Sequence, residues 1–467
     1  MIKFTSIIRW LGPVLALVIS IAGQGQSHFI LLGIAVWMLG WWITETVHLG
    51  VTALLPLLLF PLLGLGTAKE LAGYYAHPLV YLFFGGFVLA LALEKSSLHY
   101  RIALWILKRT GTKDTGLIAG FMLATGFMSM WISNTATAIM MLPIATSVLG
   151  VLNEEKQSKL SRPVLLSVAW AANIGGMATI IGTPPNMIFA AFMSEQLDRP
   201  IGFIEWLPVG LTATIVLGIT AYWIITRGLP KDVLNDEEEQ NTAQWIAGEW
   251  HSLGGLKPVQ KRVAVVFAFT AALWILRPYL AQWTPVIQWS DTAIALASAV
   301  MLFALRDGNQ GNILNWEDTK NLPWGILILF GGGLALAGTL QGSQWFELMS
   351  AGLENLGQLP QWVWLLIVAI IGVFATELLS NMALVSALLP LLLSLSLAIG
   401  IPMDMLSLPL VLGASCAFML PMATPPNAIV FSTGKLTISY MVYRGIVMNL
   451  LAIALIVLLL QVVGITG

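Results

Sequence analysis

Runs of apolar residues long enough to cross a bilayer recur from one end of this chain to the other. A helix needs about 20 predominantly apolar residues to span the hydrocarbon core. Candidate spans fall at 7–23, 28–45, 49–65, 78–95, 164–193, 206–227, 263–281, 290–306, 323–341, 405–434 and 440–463. Two further apolar stretches, 116–151 and 360–399, exceed a single span and carry polar residues in their middles. Charged residues make up 10% of the 467, against about 25% in an ordinary soluble domain. Surface grows with mass and must be covered by something polar, so lipid is the solvent that fits. The expectation is an all-α membrane protein with about eleven transmembrane helices and two re-entrant hairpins, placed in the inner (plasma) membrane. Lys3 and Arg9 before the apolar stretch 10–22 have the form of a secretory signal. The many spans that follow favour a retained first helix instead.

The positive charges give the orientation. With the N-terminus cytoplasmic, the C-terminus outside and both interrupted stretches returning to the side they came from, all but three of the 22 lysines and arginines face the cytoplasm. The exceptions are Lys69, Arg199 and Arg277. The longest hydrophilic segment, 229–261, carries the acid run Asp236-Glu237-Glu238-Glu239 and reads as a solvated cytoplasmic connector with an interfacial helix near 245–250. A net charge of −1 without a basic patch gives no footing for nucleic acid. Cys416 is the one cysteine, which excludes an intrachain disulfide and a cysteine-rich metal site. His28, His48, His77, His99 and His251 lie near loops without metal-ligand spacing. Neither His-Glu-x-x-His nor Gly-x-Ser-x-Gly occurs, so no enzyme signature is present and no cofactor is expected.

The chain repeats itself. Phe83-Phe84-Gly85-Gly86 is echoed by Leu329-Phe330-Gly331-Gly332, Ser133-Asn134 by Ser380-Asn381, and Gly182-Thr183-Pro184-Pro185-Asn186 by Ala423-Thr424-Pro425-Pro426-Asn427, in the same order. By the orientation above, the span at 78–95 runs inward and its partner at 323–341 outward, so the halves are inverted. Inverted repeats with broken segments at matching positions point to a transporter's midplane site. The glycine pairs read as close packing between helices.

The Ser133-Asn134-Thr135 stretch cannot face lipid, because unpaired polar groups there cost about several kcal/mol each. Two half-depth helices joined at a polar tip satisfy it. Pro184 and Pro185 lack amide donors and disfavour helix in the residue before them, so the span at 164–193 should unwind in its middle. The half-helix that restarts near Pro185 presents free N–H groups and a positive dipole end to an anion. Carbonyls around Ile181 and Gly182 are left for a cation, and Asn173 and Asn427 are candidates to support the unwound backbone. The tips hold hydroxyls, amides and carbonyls but no lysine or arginine, which suits a compact anion with a hard monovalent cation. Glu45 and Glu377 are ionisable groups within apolar segments. Glu377, three residues before Ser380, is a candidate to carry a proton or bond the hairpin, and Glu45 reads as structural.

At these residues the chain resembles the divalent anion/sodium symporter family, which carries di- and tricarboxylates or sulfate. The likeness rests on Ser133-Asn134-Thr135 with Thr183-Pro184-Pro185-Asn186, and on Ser380-Asn381-Met382 with Thr424-Pro425-Pro426-Asn427. It covers nearly the whole chain. The resemblance implies a homodimer of elevator-type transporters. Its scaffold would be 1–111 and 263–357, the latter ending in an interfacial segment. Its moving transport part would be 112–228 and 358–467, with 229–262 as cytoplasmic linker. By matched position, Ser129, Ser133, Asn134 and the Gly182 carbonyl would bind one sodium ion. Thr376, the Leu379 carbonyl, Asn381 and the Ala423 carbonyl would bind a second. Substrate would meet Asn134, Thr135, Thr183 and Pro184 in one half and Asn381, Met382, Thr424 and Pro425 in the other.

Met382 departs from the family's threonine and puts a thioether where a hydroxyl donor is expected, so one end of the site would recognise its ligand with fewer donors. The function implied is secondary active transport of a small dicarboxylate of the succinate, malate, fumarate or 2-oxoglutarate type, coupled to sodium. The alternatives within the family are sodium-independent dicarboxylate exchange and transport of sulfate or tricarboxylates.

Overall fold

The structure, a computed structural model, describes residues 2–227, 229, 233–308, 311–341, 343 and 359–462. The side chains of Lys3 and Lys231 and the interfacial segment expected before 357 lie outside the described residues. Helices are the regular element throughout, and no strand occurs among the described residues. In order they are α1 Ile2–Ala22, α2 Ser27–Thr44, α3 Leu49–Thr52, α4 Leu55–Leu62, α5 Ala68–Tyr75, α6 Pro78–Lys95, α7 Leu98–Thr110, α8 Asp114–Ser129, α9 Asn134–Gly150 and α10 Glu154–Gly176. There follow α11 Pro184–Leu197, α12 Phe203–Thr226, α13 Asp236–Ser252, α14 Pro258–Trp283, α15 Asp291–Ala304 and α16 Trp324–Gln341. The last are α17 Gln361–Ala375, α18 Asn381–Ile399, α19 Met403–Gly413, α20 Pro425–Phe431 and α21 Ile438–Val462. Among the described residues, six helices are long and apolar enough to cross a membrane, α12, α14 and α21 among them. Their outward faces carry bare apolar side chains such as Ile219, Val265 and Leu458, the distribution lipid contact requires.

Several elements differ from the sequence reading. The span at 49–65 is two short helices, α3 and α4, because the chain turns at Ala53 and Leu54. An unforeseen helix, α7, occupies the stretch expected as cytoplasmic loop. The helix expected at 245–250 starts at Asp236, where Asn235 and Glu238 form a reciprocal capping box. It is no free connector. Arg101 of α7 donates to the carbonyls of Leu253, Gly254 and Gly255 at 2.9–3.1 Å, and Tyr100 donates to Glu249 at 3.0 Å. Asp114 accepts from the backbone of Val233 and Leu234, which pins the other end.

The packing reading of the glycine pairs stands. A Cβ at Gly85 would meet the Ala295 backbone of α15 at 2.7 Å, and one at Gly332 would overlap the Ala53 carbonyl. Phe83 and Phe330 of the two echoed segments stack with ring centres 4.8 Å apart. At the centre, α10 packs on both arms of the hairpin α8–α9, and α19 on both α17 and α18. Each broken helix is thereby set beside a hairpin.

Candidate functional site

The breaks follow from local sequence. α10 ends at Gly176 and α19 at Gly413, while Pro184-Pro185 and Pro425-Pro426 open α11 and α20. The segments between cannot continue a helix, and their carbonyls need donors. Asn186 supplies them in the first half, donating to the carbonyls of Thr179 at 2.9 Å and Gly176 at 3.2 Å. Asn427 repeats the arrangement, donating to Leu420 at 3.0 Å and Ala417 at 3.1 Å. Asn173 does not serve the break of its own half. Its Nδ2 reaches across to the second, 3.1 Å from both the Ala417 carbonyl and Thr424 Oγ1.

The hairpin tips carry a second matched set. Ser129 Oγ lies 2.8 Å from Asn134 Oδ1 and 2.6 Å from the Ala172 carbonyl oxygen. Thr376 Oγ1 lies 2.6 Å from Asn381 Oδ1 and 2.7 Å from the Ala414 carbonyl oxygen. Both hydroxyls are fully buried. A hydroxyl has one proton, so in each set one pair of oxygens is held in contact with no hydrogen between them. Hard oxygens gathered in this way suit a hard cation. Gly182 adjoins the first set: its Cβ would strike the Gly176 carbonyl, and a Cβ at Gly176 would strike Asn134 Oδ1, each at 2.5 Å. No cluster of three or more His, Cys, Asp or Glu that could hold a metal occurs among the described residues.

Both tips and both breaks open onto one cavity of about 890 Å³. Its wall includes Ser133, Asn134, Thr135, Thr183 and Pro184 from the first half, and Leu379, Asn381, Met382, Ala423, Thr424 and Pro425 from the second. Of the expected site residues, Ser129, Gly182 and Thr376 stand behind this wall. Sequence reasoning missed that Glu45, His48, Asn173 and Met422 also line the cavity. His48 gave no signal beyond its place near a loop; its Nδ1 caps α3 by accepting from Gly50. The carbonyls of Ala172 and Ala414 were missed as well, since a backbone oxygen carries no residue signature.

Among the described residues no lysine or arginine lines the cavity, so what it offers an anion is the backbone at its helix starts and the polar side chains. Asn134, Pro184, Asn381 and Pro425 are the first residues of α9, α11, α18 and α20, so four helix starts border one space. The prolines reduce what α11 and α20 can donate, because their first two positions have no N–H. Free N–H groups are therefore fewer there than the sequence reading supposed. The hairpin arms compensate: α9 and α18 begin without proline, and the amides of Asn134 and Asn381 have no helical acceptor.

Glu377 sits at neither a lipid face nor the cavity. It is 3% exposed. Its carboxylate accepts from the backbone N–H groups of Phe418, Met419 and Leu420 and from Asn449 Nδ2, all at 2.8–2.9 Å. It bonds the second break rather than its own hairpin, as an acceptor in all four contacts. The matching position of the first half is Met130. Here the loop is held by Thr179 Oγ1 donating to the Met130 carbonyl and by Trp206 Nε1 donating to the Met177 carbonyl at 2.9 Å.

Known proteins resemble this chain along its length. The family profile CitMHS, described as a citrate transporter, matches residues 39–414. The sodium-dependent dicarboxylate transporter SdcS of Staphylococcus saprophyticus is 37% identical over 466 residues, covering 96% of this chain and 89% of the relative. SdcS of Staphylococcus aureus is 34% identical over 445 residues, with 92% and 85% covered. Two solved structures share the fold at 15% identity. The YdaH transporter of Alcanivorax borkumensis has a TM-score of 0.54, with 84% of this chain and 86% of that one covered. MtrF of Neisseria gonorrhoeae, from a class of antimetabolite efflux pumps, has a TM-score of 0.59, with 88% and 85% covered.

Proposed function

Because this chain belongs to the divalent anion/sodium symporter family, whose members are transporters and not enzymes, we propose that it carries a small dicarboxylate across the membrane together with sodium. The observation that carries this reading is the pair of matched oxygen sets, Ser129–Asn134–Ala172 and Thr376–Asn381–Ala414, beside a cavity bordered by four helix starts. One monovalent cation at each set balances the two charges of the anion between them. Ser133, Gly182, Leu379 and Ala423 complete the cation ligands in this reading. Asn134, Thr135, Thr183 and Pro184 take one carboxylate, and Asn381, Thr424 and Pro425 take the other beside Met382.

The two halves are an inverted repeat, and the hairpins and broken helices move as one transport part against a scaffold of 1–111 and 263–357 in a homodimer. The cavity is bordered on the scaffold side by Thr44, Glu45 and His48, the end of α2 that the charge distribution puts on the cytoplasmic face, so the conformation is inward-facing. Cation binding fixes the tips and screens the dianion, which lets the loaded part cross.

Met382 and Met422, both on the cavity wall, favour a second reading as a sodium-independent exchanger. Labelled succinate uptake into liposomes preloaded with unlabelled succinate, with and without sodium on both faces, separates them. Uptake that requires sodium supports the symporter. Uptake indifferent to sodium but dependent on internal dicarboxylate replaces it with exchange. Uptake of sulfate or tricarboxylates alone refutes the substrate class.

A further inference from the structure

Asn173 is 1% exposed, belongs to α10 of the first half and yet makes its side-chain bonds to the second. Its Nδ2 faces three acceptors: the Ala417 carbonyl, Thr424 Oγ1 and Asn427 Oδ1, at 3.1, 3.1 and 3.4 Å. Three oxygens around one atom of the amide settle which end is nitrogen. The consequence falls on Thr424. A hydroxyl that accepts an N–H bond cannot turn its own proton to the same partner. Thr424 Oγ1 donates to none of the described residues; the residue is 4% exposed, and it borders the cavity. Its proton is thereby left for whatever occupies the cavity.

The first half has no such arrangement. Thr183, the counterpart of Thr424, receives no side-chain donor among the described residues, and the position matching Asn173 is Ser415, too short to reach across. The two threonines therefore differ: no side chain among the described residues sets the Thr183 hydroxyl, while Thr424 is set as a donor before any ligand arrives. Preset donors aimed at an anion strengthen its binding because no reorganisation is needed at the moment of contact.

We infer that Asn173 is a positioning residue that fixes the Thr424 hydroxyl as a hydrogen-bond donor to the carboxylate in the second half of the site. The inference rests on the reading above that Thr424 meets substrate. It is tested by a double-mutant cycle on succinate uptake into liposomes at saturating sodium, using Asn173→Ala, Thr424→Val and the pair, with half-saturating sodium measured for each. The expected result is a KM raised about tenfold by each single change, a pair no worse than Thr424→Val alone, and little change in half-saturating sodium. Asn173→Asp, which can only accept from Thr424 and adds a negative charge, should raise KM further than Asn173→Ala. Additive effects of Asn173→Ala and Thr424→Val, or an unchanged KM in Asn173→Ala beside a raised one in Thr424→Val, overturn the inference and leave the substrate reading standing. An unchanged KM in Thr424→Val overturns the substrate reading itself.

Discussion

Ser129 and Thr376 each hold one proton between two oxygens, and that arithmetic decides what their removal should do. Replacing either with alanine takes one oxygen from a proposed cation set and leaves Asn134 or Asn381 without its hydroxyl contact. Ser129→Ala and Thr376→Ala are each expected to raise half-saturating sodium about tenfold in liposome uptake while leaving succinate KM at saturating sodium within about twofold. A raised KM with unchanged sodium dependence would assign these residues to the anion instead. The matched Ser-Asn and Pro-Pro-Asn motifs made most of this site legible in the sequence, because polar groups within an apolar run have few places to go. Asn173 was legible as a support but not as a bridge between halves. Its destination depends on how α10 packs on the second break, which no local pattern encodes.

The element that most needs outside support is the unwound segment between α19 and α20. Glu377 bonds three consecutive amides of it, 418 to 420, and Asn449 of α21 bonds the same carboxylate. Hydrogen bonds to a charged group contribute about 1.5–3 kcal/mol each. Glu377→Gln keeps the shape, removes the charge and turns an amide toward backbone donors. It is expected to lower the melting temperature in detergent and to raise half-saturating sodium several-fold, since Ala414 and Ala423 lie at the ends of the segment it holds. Unchanged sodium dependence with a lowered melting temperature would confine Glu377 to stability. The breaks themselves were legible from the prolines. The docking of α13 onto α7 was not, because Arg101 bonds carbonyls of a segment more than a hundred residues away.

Across the whole molecule, the ion pairs between the proposed scaffold and transport parts found among the described residues lie at one end. His77 Nε2 at the start of α6 lies 3.4 Å from Glu195 of α11, and Arg277 of α14 pairs with Glu205 of α12 at 2.5 Å. If the parts slide, these pairs must separate in each cycle. A protein with His77→Cys and Glu195→Cys, bridged by a short bis-thiol reagent, is expected to lose uptake and regain it on cleavage of the bridge. The buried Cys416 leaves a quiet background. Full uptake with the bridge in place would mean that α6 and α11 travel together.

The paired prolines have a thermodynamic consequence. A helix interrupted by Pro184 and Pro185, or by Pro425 and Pro426, has no intact form to relax into when the ligand leaves. The strain of interruption is built in during folding and is common to the empty and loaded protein, so it cancels from the binding equilibrium. What remains for the ligand to order is confined to a few side chains at the tips. The conformational entropy lost on binding should accordingly be small, because the empty protein already holds its backbone in the shape the ligand meets.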